Sequence, residues 1–403
     1  MDSRAPILTR DFGLICLATL LSASAQSLVL TAIPLLLMQL GFAVEFVGLF
    51  VGAFAFGALI VRFPVGAAVD RFGWRVFGSG GAGLVSVACL LYALMPFVPV
   101  RTPLIATAPL LLPLAGIAHS VGFSTYGTSA SSFVAYTVPA ARRGEAVGYY
   151  GILTDVAKGI AAGLSLLIVA AWGFPALLGI AAAMSAIAAI VSSSLSDTPR
   201  TEVSAGPVTI PLRIETRVLV PALVSAMLAA GTGTALAFVP LLGLERGIAN
   251  PGVYFTAVAL ASIVFRITAG RLADTYGRFA SIIPGMLLAT AGLVLVAKAS
   301  STEALALAGI VYGIGSASAA PALEALIIDL AGLARRGSAM ATHWAMVDLG
   351  VSAGSIVAGQ IAPIVGYGGV FVAASSAPLV GLCGFLVYAR LRQAPPSGYD
   401  RTR

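Results

Sequence analysis

Long apolar runs recur through almost the whole sequence, and this feature limits what the chain can fold into more than any other. A helix that crosses a bilayer needs about 20 mostly apolar residues, because its backbone must satisfy its own hydrogen bonds in lipid. Charged or turn-rich stretches separate runs at approximately 12–39, 46–68, 77–98, 104–135, 146–171, 176–196, 218–242, 252–272, 279–298, 304–330, 339–364 and 369–390. The pattern predicts an all-α integral membrane protein with twelve transmembrane helices.

The composition excludes a water-soluble domain. Hydrophobic residues make up 59% of the 403 positions and charged residues only 10%, whereas soluble domains carry about a quarter charged residues. The first apolar run follows a short polar stretch, residues 1–10, and lacks a convincing small-residue cleavage site before the next element, which predicts a retained helix and not a removed signal peptide.

The positive charges predict the orientation, since loops rich in Lys and Arg stay in the cytoplasm. An even number of helices puts both termini on one side, and most of the 23 Lys and Arg residues lie in loops on that side. On the opposite side lie Arg101, Arg246 and Lys298. We therefore expect both termini in the cytoplasm, and we attribute the net charge of +7 to topology and not to nucleic-acid binding.

Two segments of the first half recur in the second half. The Arg, Gly, Asp and Gly of segment 62–75 return with identical spacing in segment 266–278, which begins 204 residues later. Segment 142–148 returns as segment 335–341 after a shift of 193 residues, and the same shift pairs Asp155 with Asp348. The repeat predicts an N-terminal six-helix bundle (1–196), a cytoplasmic linker (197–216) and a C-terminal six-helix bundle (217–403), with a site between the bundles near the bilayer midplane.

The repeated loop resembles the hallmark cytoplasmic loop of the major facilitator superfamily, G-x-x-x-D-R/K-x-G-R/K-R/K. Residues 66–75 match it nearly in full, and residues 270–278 match it in reduced form. By this motif and its topology the chain is identified as a member of that superfamily, similar to bacterial efflux permeases. The resemblance implies two pseudo-symmetric bundles that rock about a central site by alternating access, in a bacterial inner membrane.

The charged residues of this loop predict a gating contact that holds one transport state closed. An aspartate at a helix end beside arginines forms charge-assisted hydrogen bonds, and glycine lets helices approach closely. Ordinary solvated loop charge is the alternative. The proposed members are Gly66, Asp70, Arg71, Gly73, Arg75 and Arg142 in the first half, and Gly270, Asp274, Gly277, Arg278, Asp329 and Arg335 in the second.

Ionisable residues inside the membrane carry the mechanistic hypothesis, because charge in a bilayer is expensive and is usually retained for function. Asp155 lies 12 residues after Arg143, or about 18 Å along a helix. Asp348 has the same distance from Arg336, which predicts matching depth. Lys158 shares a helix face with Asp155. The functional interpretation is proton coupling or substrate binding, and the alternative is a structural ion pair or a hydrogen-bonded packing residue.

Other polar residues in the predicted helices are weaker candidates for the same site. A histidine titrates near neutral pH and can relay protons, but a lone one in a helix is equally a packing residue. These candidates are His343, His119, Glu324, Gln26 and Tyr126, followed by Tyr149 and Tyr150. The spacings Gly159–Gly163 and Gly350–Gly354 predict close helix packing. Three cysteines inside helices indicate neither a disulfide framework nor a metal site.

The resemblance to bacterial efflux permeases implies a secondary transporter that exports a small organic solute or drug in exchange for protons. Proton-coupled uptake of a small organic ion is the alternative within this class, and a membrane receptor that binds without transport is the alternative outside it. Residues 151–163 lack the Gly-Pro motif of many drug:proton antiporters, which argues against multidrug antiport. We expect no enzymatic activity, cofactor or bound metal. The partners expected are a small-molecule substrate, protons and the lipid bilayer, and a monomer suffices because one chain contains both halves.

Overall fold

The computed structural model describes residues 9–95, 103–138, 143–196, 215–331 and 336–393, and these residues form helices and no strand. A short 3-10 helix, Thr216–Val218, precedes the second half. The helices are α1 (Arg10–Gln39), α2 (Val44–Phe72), α3 (Trp74–Leu94), α4 (Pro103–Thr137), α5 (Arg143–Ser193), α6 (Leu219–Glu245), α7 (Val253–Tyr276), α8 (Phe279–Lys298), α9 (Thr302–Ala331) and α10 (Arg336–Gln393). The prediction of an all-α integral membrane protein is confirmed.

Helices α5 and α10 are each too long to be one membrane crossing. They contain 51 and 58 residues, which is more than 75 Å at about 1.5 Å per residue, against a hydrocarbon core of about 30 Å. Each is interrupted by one glycine outside helical geometry, Gly173 (φ 77°, ψ 172°) and Gly366 (φ 70°, ψ 168°). Glycine adopts a positive φ without a Cβ clash, so the chain kinks there without a loop.

These breaks relate the observed helices to the predicted runs. We call the arms before the breaks α5a and α10a, and the arms after them α5b and α10b. Eight helical stretches of the described chain are long and apolar enough to cross a membrane, and two of them, Tyr149–Ser193 and Ser338–Arg390, contain a break. Each of these two stretches therefore accounts for two of the predicted runs.

The connections alternate between two faces of the molecule. The face that holds the described chain ends, here the termini face, also holds Gly73 and Gly277, which end α2 and α7. The opposite or far face holds both helix breaks and the loop after α6. There the Arg246 guanidinium donates to the carbonyl oxygens of Ala299 and Ala297 at 2.5 and 2.8 Å, which fixes the α6–α7 connection to the end of α8.

Helices within each half pack through glycines that bring backbones together. A Cβ atom added to Gly81 on α3 would lie 2.7 Å from the Gly122 carbonyl oxygen on α4. A Cβ added to Gly285 on α8 would lie 2.8 Å from the Gly315 carbonyl oxygen on α9. Gly285 lies 204 residues after Gly81, and Gly315 lies 193 residues after Gly122, which are the two shifts of the internal repeat. The repeat therefore extends to the packing of the helices.

Two of the contacts between the halves lie on the far side and are also related by the repeat. On one, α2 packs on α10a, where a Cβ added to Gly48 would lie 2.5 Å from the Ser355 carbonyl oxygen. On the other, α7 packs on α5a, where a Cβ added to Gly252 would clash with the Ala162 carbonyl oxygen. The same two shifts relate Gly48 to Gly252 and Ala162 to Ser355. The interface is therefore pseudo-twofold.

Hydroxyl groups join the halves at the same level. The Ser352 hydroxyl on α10a donates to the Gly52 carbonyl on α2 at 2.9 Å, and the Thr256 hydroxyl on α7 donates to the Gly159 carbonyl on α5a at 2.7 Å. Asn250 adds an amide hydrogen bond of 3.2 Å to the Gly163 carbonyl. Gly159 and Gly163 thus lie at a close helix contact, as their spacing predicts.

The buried side chains show which side of the molecule the two halves share. One cluster contains residues of both halves, among them Leu36 and Phe50 with Phe238 and Leu242, toward the far face. Toward the termini face the described core separates into a cluster with N-terminal residues only, such as Phe133, and a cluster with C-terminal residues only. In the described part of the chain, the apolar packing between the halves is therefore on the far side.

We predict that Gly81→Val lowers the melting temperature of the purified protein in detergent, because its side chain would press on the backbone of α4. Overpacking of this kind costs about 1–3 kcal/mol. The adjacent Gly80 has no atom within 4 Å of an added Cβ, so Gly80→Val controls for the change of helix propensity. Equal melting temperatures for the two variants would contradict the close approach of α3 and α4.

We also predict that Gly48→Val separates the halves on the far side while each half stays folded. The added side chain meets backbone atoms of Ser355 and Gly359, which cannot move aside as a side chain can. Spin labels at Leu40→Cys and Leu244→Cys, in a background without the native cysteines, would report a longer distance than in the parent. Gly83→Val, at a glycine with no neighbour within 4 Å, is the control. An unchanged distance in Gly48→Val would refute the role of this contact.

Candidate functional site

The two acidic residues predicted at mid-membrane occupy equivalent positions in α5 and α10. Asp155 follows the start of its helix by 12 residues and precedes the break at Gly173 by 18. Asp348 has the same two separations from Arg336 and Gly366. Both side chains are partly buried, and Lys158, one turn after Asp155, is exposed. Because the helix boundaries match, the two carboxyl groups lie at equal depth in the two halves.

Each of these carboxyl groups is one helical turn from a hydrogen bond that joins the halves. Asp155 precedes Gly159, whose carbonyl accepts from Thr256 at 2.7 Å. Asp348 precedes Ser352, whose hydroxyl donates to Gly52 at 2.9 Å. A rotation of one half against the other breaks or moves these bonds, and it also changes the surroundings of both carboxyl groups.

Contacts inside the N-terminal half hold this part of α5 against α1. The Ser27 hydroxyl donates to the Lys158 carbonyl at 2.7 Å, and the Ser165 hydroxyl donates to the Leu28 carbonyl at 2.7 Å. Segment 158–165 is therefore fixed to its own half on one side and to α7 of the other half on the other side. This makes α5a a connecting element between the bundle and the interface.

Two tyrosine–threonine networks lie deeper in the halves. In the N-terminal half the hydroxyl groups of Thr19 and Tyr126 are 3.0 Å apart, and Thr19 also donates to Tyr150 at 3.4 Å. In the C-terminal half the hydroxyl groups of Thr232 and Tyr312 are 2.7 Å apart. Tyr126, predicted as a cavity residue, is thus a buried member of the α1–α4 contact, with 2% of its surface exposed.

The remaining polar candidates are distributed over both halves. His119 and Gln26 are buried in the N-terminal half, and His343 is buried at the start of α10a, with its ring 5.2 Å from that of Trp344. Glu324 is partly buried on α9. The structure thus places the eight predicted residues on five helical segments, α1, α4, α9 and the arms α5a and α10a, and not in one cluster.

The predicted gating loop is described in part. Gly73 and Gly277 have φ of 91° and 87°, and an added Cβ would meet no atom within 4 Å at either position. Glycine is therefore required at these positions by the positive φ with which each helix ends. The expectation that they allow close helix approach is wrong for these two glycines. The surroundings of Gly66 and Gly270, the side chains of Asp70, Arg71 and Asp274, and residues Arg142 and Arg335 lie outside the described residues.

Among the described residues of the gating set, Arg278 and Asp329 make a charged contact. Arg278, directly after the second loop glycine, lies 3.3 Å from the Asp329 carboxylate near the end of α9. In the first half the equivalent of Arg278 is Trp74, whose ring lies 4.1 Å from that of Phe133 on α4. In both halves the loop therefore contacts the second helix that follows it. In the C-terminal half the contact to α9 is an ion pair, and in the N-terminal half the contact to α4 is aromatic packing. Arg75 is exposed.

Sequence reasoning missed the side chains that bond across the interface, Thr256, Ser352 and Asn250, and also the Thr232–Tyr312 pair. A serine or threonine in a helix usually bonds its own backbone, so residue type gives no signal. The signal that was available is the repeat, which aligns Thr256 and Gly159 with Gly52 and Ser352. Among the described residues, no group of three or more His, Cys, Asp or Glu side chains is placed to hold a metal ion.

Comparison with known proteins agrees with this architecture. An uncharacterized MFS-type transporter of Salmonella typhimurium is 26% identical over 375 residues, which cover 91% of this chain and 95% of the relative. An uncharacterized MFS-type transporter of Burkholderia pseudomallei is 25% identical over 341 residues, covering 83% of this chain and 81% of the relative.

Solved transporters share the fold at low sequence identity. The nucleoside transporter NupG superposes with a TM-score of 0.77 at 16% identity, covering 95% of this chain and all of that one. A POT family transporter in complex with 5-aminolevulinic acid gives a TM-score of 0.76 at 13% identity and covers 96% of this chain and 97% of its own.

The family model of the Major Facilitator Superfamily matches residues 15–253 and 221–402. The chain belongs to the major facilitator superfamily of membrane transporters.

Proposed function

We propose that this chain is a proton-coupled transporter that exports a small organic solute by alternating access between its two halves. The observation that carries the proposal is the position of Asp155 and Asp348, each one turn from a hydrogen bond that joins the halves. The proposed halves are residues 1–196 and 217–403, with 197–216 as the linker between them.

The coupling follows from what a carboxyl group does when its surroundings change. A carboxylate is stabilised by nearby cations and hydrogen-bond donors and destabilised by burial. When the halves rotate, both groups move relative to the other half, so their affinity for a proton or a cationic solute differs between the two states. A ligand that binds one state better shifts the population toward that state. Protonation of either aspartate then favours one orientation of the transporter.

The orientation is part of the proposal. If the Arg-rich termini face is cytoplasmic, as the positive-inside rule predicts, the far face is outside the cell. The packing of both halves on the far side then corresponds to a state that is closed to the outside. We propose a monomer in the inner membrane as the working unit, because one chain provides both halves of the interface.

The direction of transport is supported by the resemblance of the sequence to bacterial efflux permeases. One observation favours a second candidate, the uptake of a small organic ion. Lys158 is exposed one turn after the partly buried Asp155, which suits the recognition of a charged group on the solute. A pH gradient of either sign across the vesicle membrane distinguishes export in exchange for protons from uptake together with protons.

We predict that Asp155→Asn and Asp348→Asn each abolish solute-driven proton movement but leave solute exchange at equal concentrations intact. An amide keeps the size of the side chain but cannot bind a proton, so the uncoupled exchange step survives. Purified protein in liposomes with an internal pH dye and a labelled solute measures both. Glu303→Gln, at an exposed position on the far face, is the matched control and should behave as the parent.

Full proton coupling in both aspartate variants would show that the two carboxyl groups are structural, and Glu324 would be the next residue to test. A parent protein that binds a solute tightly but moves neither solute nor protons would instead favour a receptor.

A further inference from the structure

The two histidines of this chain stand where the other half has a hydrogen-bonded tyrosine. The shift of 193 residues that relates α4 to α9 and α5 to α10 pairs His119 with Tyr312, and Tyr150 with His343. Tyr150 accepts from Thr19 at 3.4 Å, and Tyr312 lies 2.7 Å from the Thr232 hydroxyl. The halves therefore differ at these positions in a systematic way.

The partner of His119 follows from the packing of α1 and α6. Ser27 on α1 bonds the Lys158 carbonyl, and Gly233 on α6 lies against the carbonyl of Val351, the equivalent of Lys158. Residues on α1 thus correspond to residues 206 later on α6. By this shift Gln26 corresponds to Thr232, so the pair equivalent to Thr232–Tyr312 is Gln26–His119.

The contact between α1 and α4 places the two side chains at the same level independently of the repeat. Thr19 and Tyr126 touch at 3.0 Å, and the helices are antiparallel. Gln26 lies seven residues after Thr19, and His119 lies seven residues before Tyr126. Seven residues are about two turns, so Gln26 and His119 each lie about 10 Å closer to the far face than Thr19 and Tyr126, on the same side of their helices.

Both side chains are buried and incompletely satisfied. Gln26 is 3% exposed and His119 is 1% exposed. Gln26 Oε1, His119 Nε2 and the nearby Tyr92 hydroxyl have no hydrogen-bond partner among the described residues. The Tyr92 and Phe54 rings lie 5.9 and 5.2 Å from the His119 ring. In the C-terminal half, by contrast, Tyr312 bonds both Thr232 and the Leu228 carbonyl.

We propose that Gln26 and His119 form a binding site for an uncharged hydroxyl group of the transported solute. A hydroxyl group can donate its single O–H to Gln26 Oε1 and at the same time accept from a protonated His119 Nε2. Burial and the adjacent aromatic rings favour an uncharged group, because a charge taken out of water needs a compensating partner. The proposal rests on the proposed transport function for the identity of the ligand. A bound water molecule has the same chemistry and is distinguished by the test.

The test copies the C-terminal pair into the N-terminal half with the variant Gln26→Thr/His119→Tyr. This pair already exists in the other half, so we expect the variant to fold and to melt at the same or a higher temperature than the parent without solute. The probes are uncharged hydroxylated solutes, namely glycerol, glucose and uridine, and the readout is the concentration that half-maximally raises the melting temperature. We expect about tenfold weaker binding in the variant, as for the loss of one hydrogen bond.

Two further variants keep the result interpretable. Gln26→Leu alone removes the acceptor and should also weaken the response if the double variant does not fold. Tyr312→Phe removes the fixed bond of the C-terminal half and should lower the melting temperature but leave the response to the probes unchanged.

Each outcome decides the proposal. Equal probe responses in parent and double variant would show that the site holds only water, and the absence of any response in the parent would exclude the proposed ligand class. If the parent responds but moves no protons in the vesicle assay, the transport proposal fails while the binding site stands. If the parent transports a probe and the double variant does so equally well, the binding site fails while the transport proposal stands.

Discussion

In the hydrocarbon of a bilayer, helices gain little by burying apolar side chains against one another, because lipid is equally apolar. Association depends instead on close contact of backbones and on hydrogen bonds between helices. The 45 glycines of this chain meet that requirement at particular places. Gly81 on α3 and Gly285 on α8 touch the next helix within each half, and Gly48 and Gly252 touch the opposite half. The positions of the polar residues are set by these contacts.

The contact between the two halves includes hydrogen bonds that can break without unfolding either half. The interface between the halves is closed by hydroxyl groups of Ser352 and Thr256 on backbone carbonyls. A helical carbonyl already accepts its own helix bond, and one further bond of this kind contributes only about 0.5–1.5 kcal/mol. Such bonds hold the far side together and still separate without unfolding either half. This suits an interface that opens and closes in a transport cycle.

The sequence predicts the helices well, because each one must be apolar along its whole length. The predicted run 279–298 agrees with α8, and run 46–68 lies within α2. The sequence predicts short connections between separate helices near Gly173 and Gly366, where the structure has a kink within one continuous helical stretch. A short loop and a glycine kink interrupt the apolar pattern in the same way. The mutual orientation of side chains was also not predictable. In a helix that is apolar on all sides, the positions of the apolar residues do not distinguish the side that faces lipid from the side that faces another helix.

The internal repeat supplies what periodicity cannot, since it gives every position of one half a counterpart in the other. Where both counterparts are satisfied, as at the two glycine interfaces, the position serves the architecture that the halves share. Where one is satisfied and the other is not, as at Tyr312 and His119, the shared architecture does not explain the difference. A buried polar atom without a partner costs about 1–3 kcal/mol, and a hydrogen-bonded solution to the same geometry is present in the same chain. The presence of Gln26 and His119, with unpartnered Oε1 and Nε2 atoms, therefore argues for a ligand that completes their hydrogen bonds. Such asymmetric positions are where the substrate specificity of a duplicated transporter is expected.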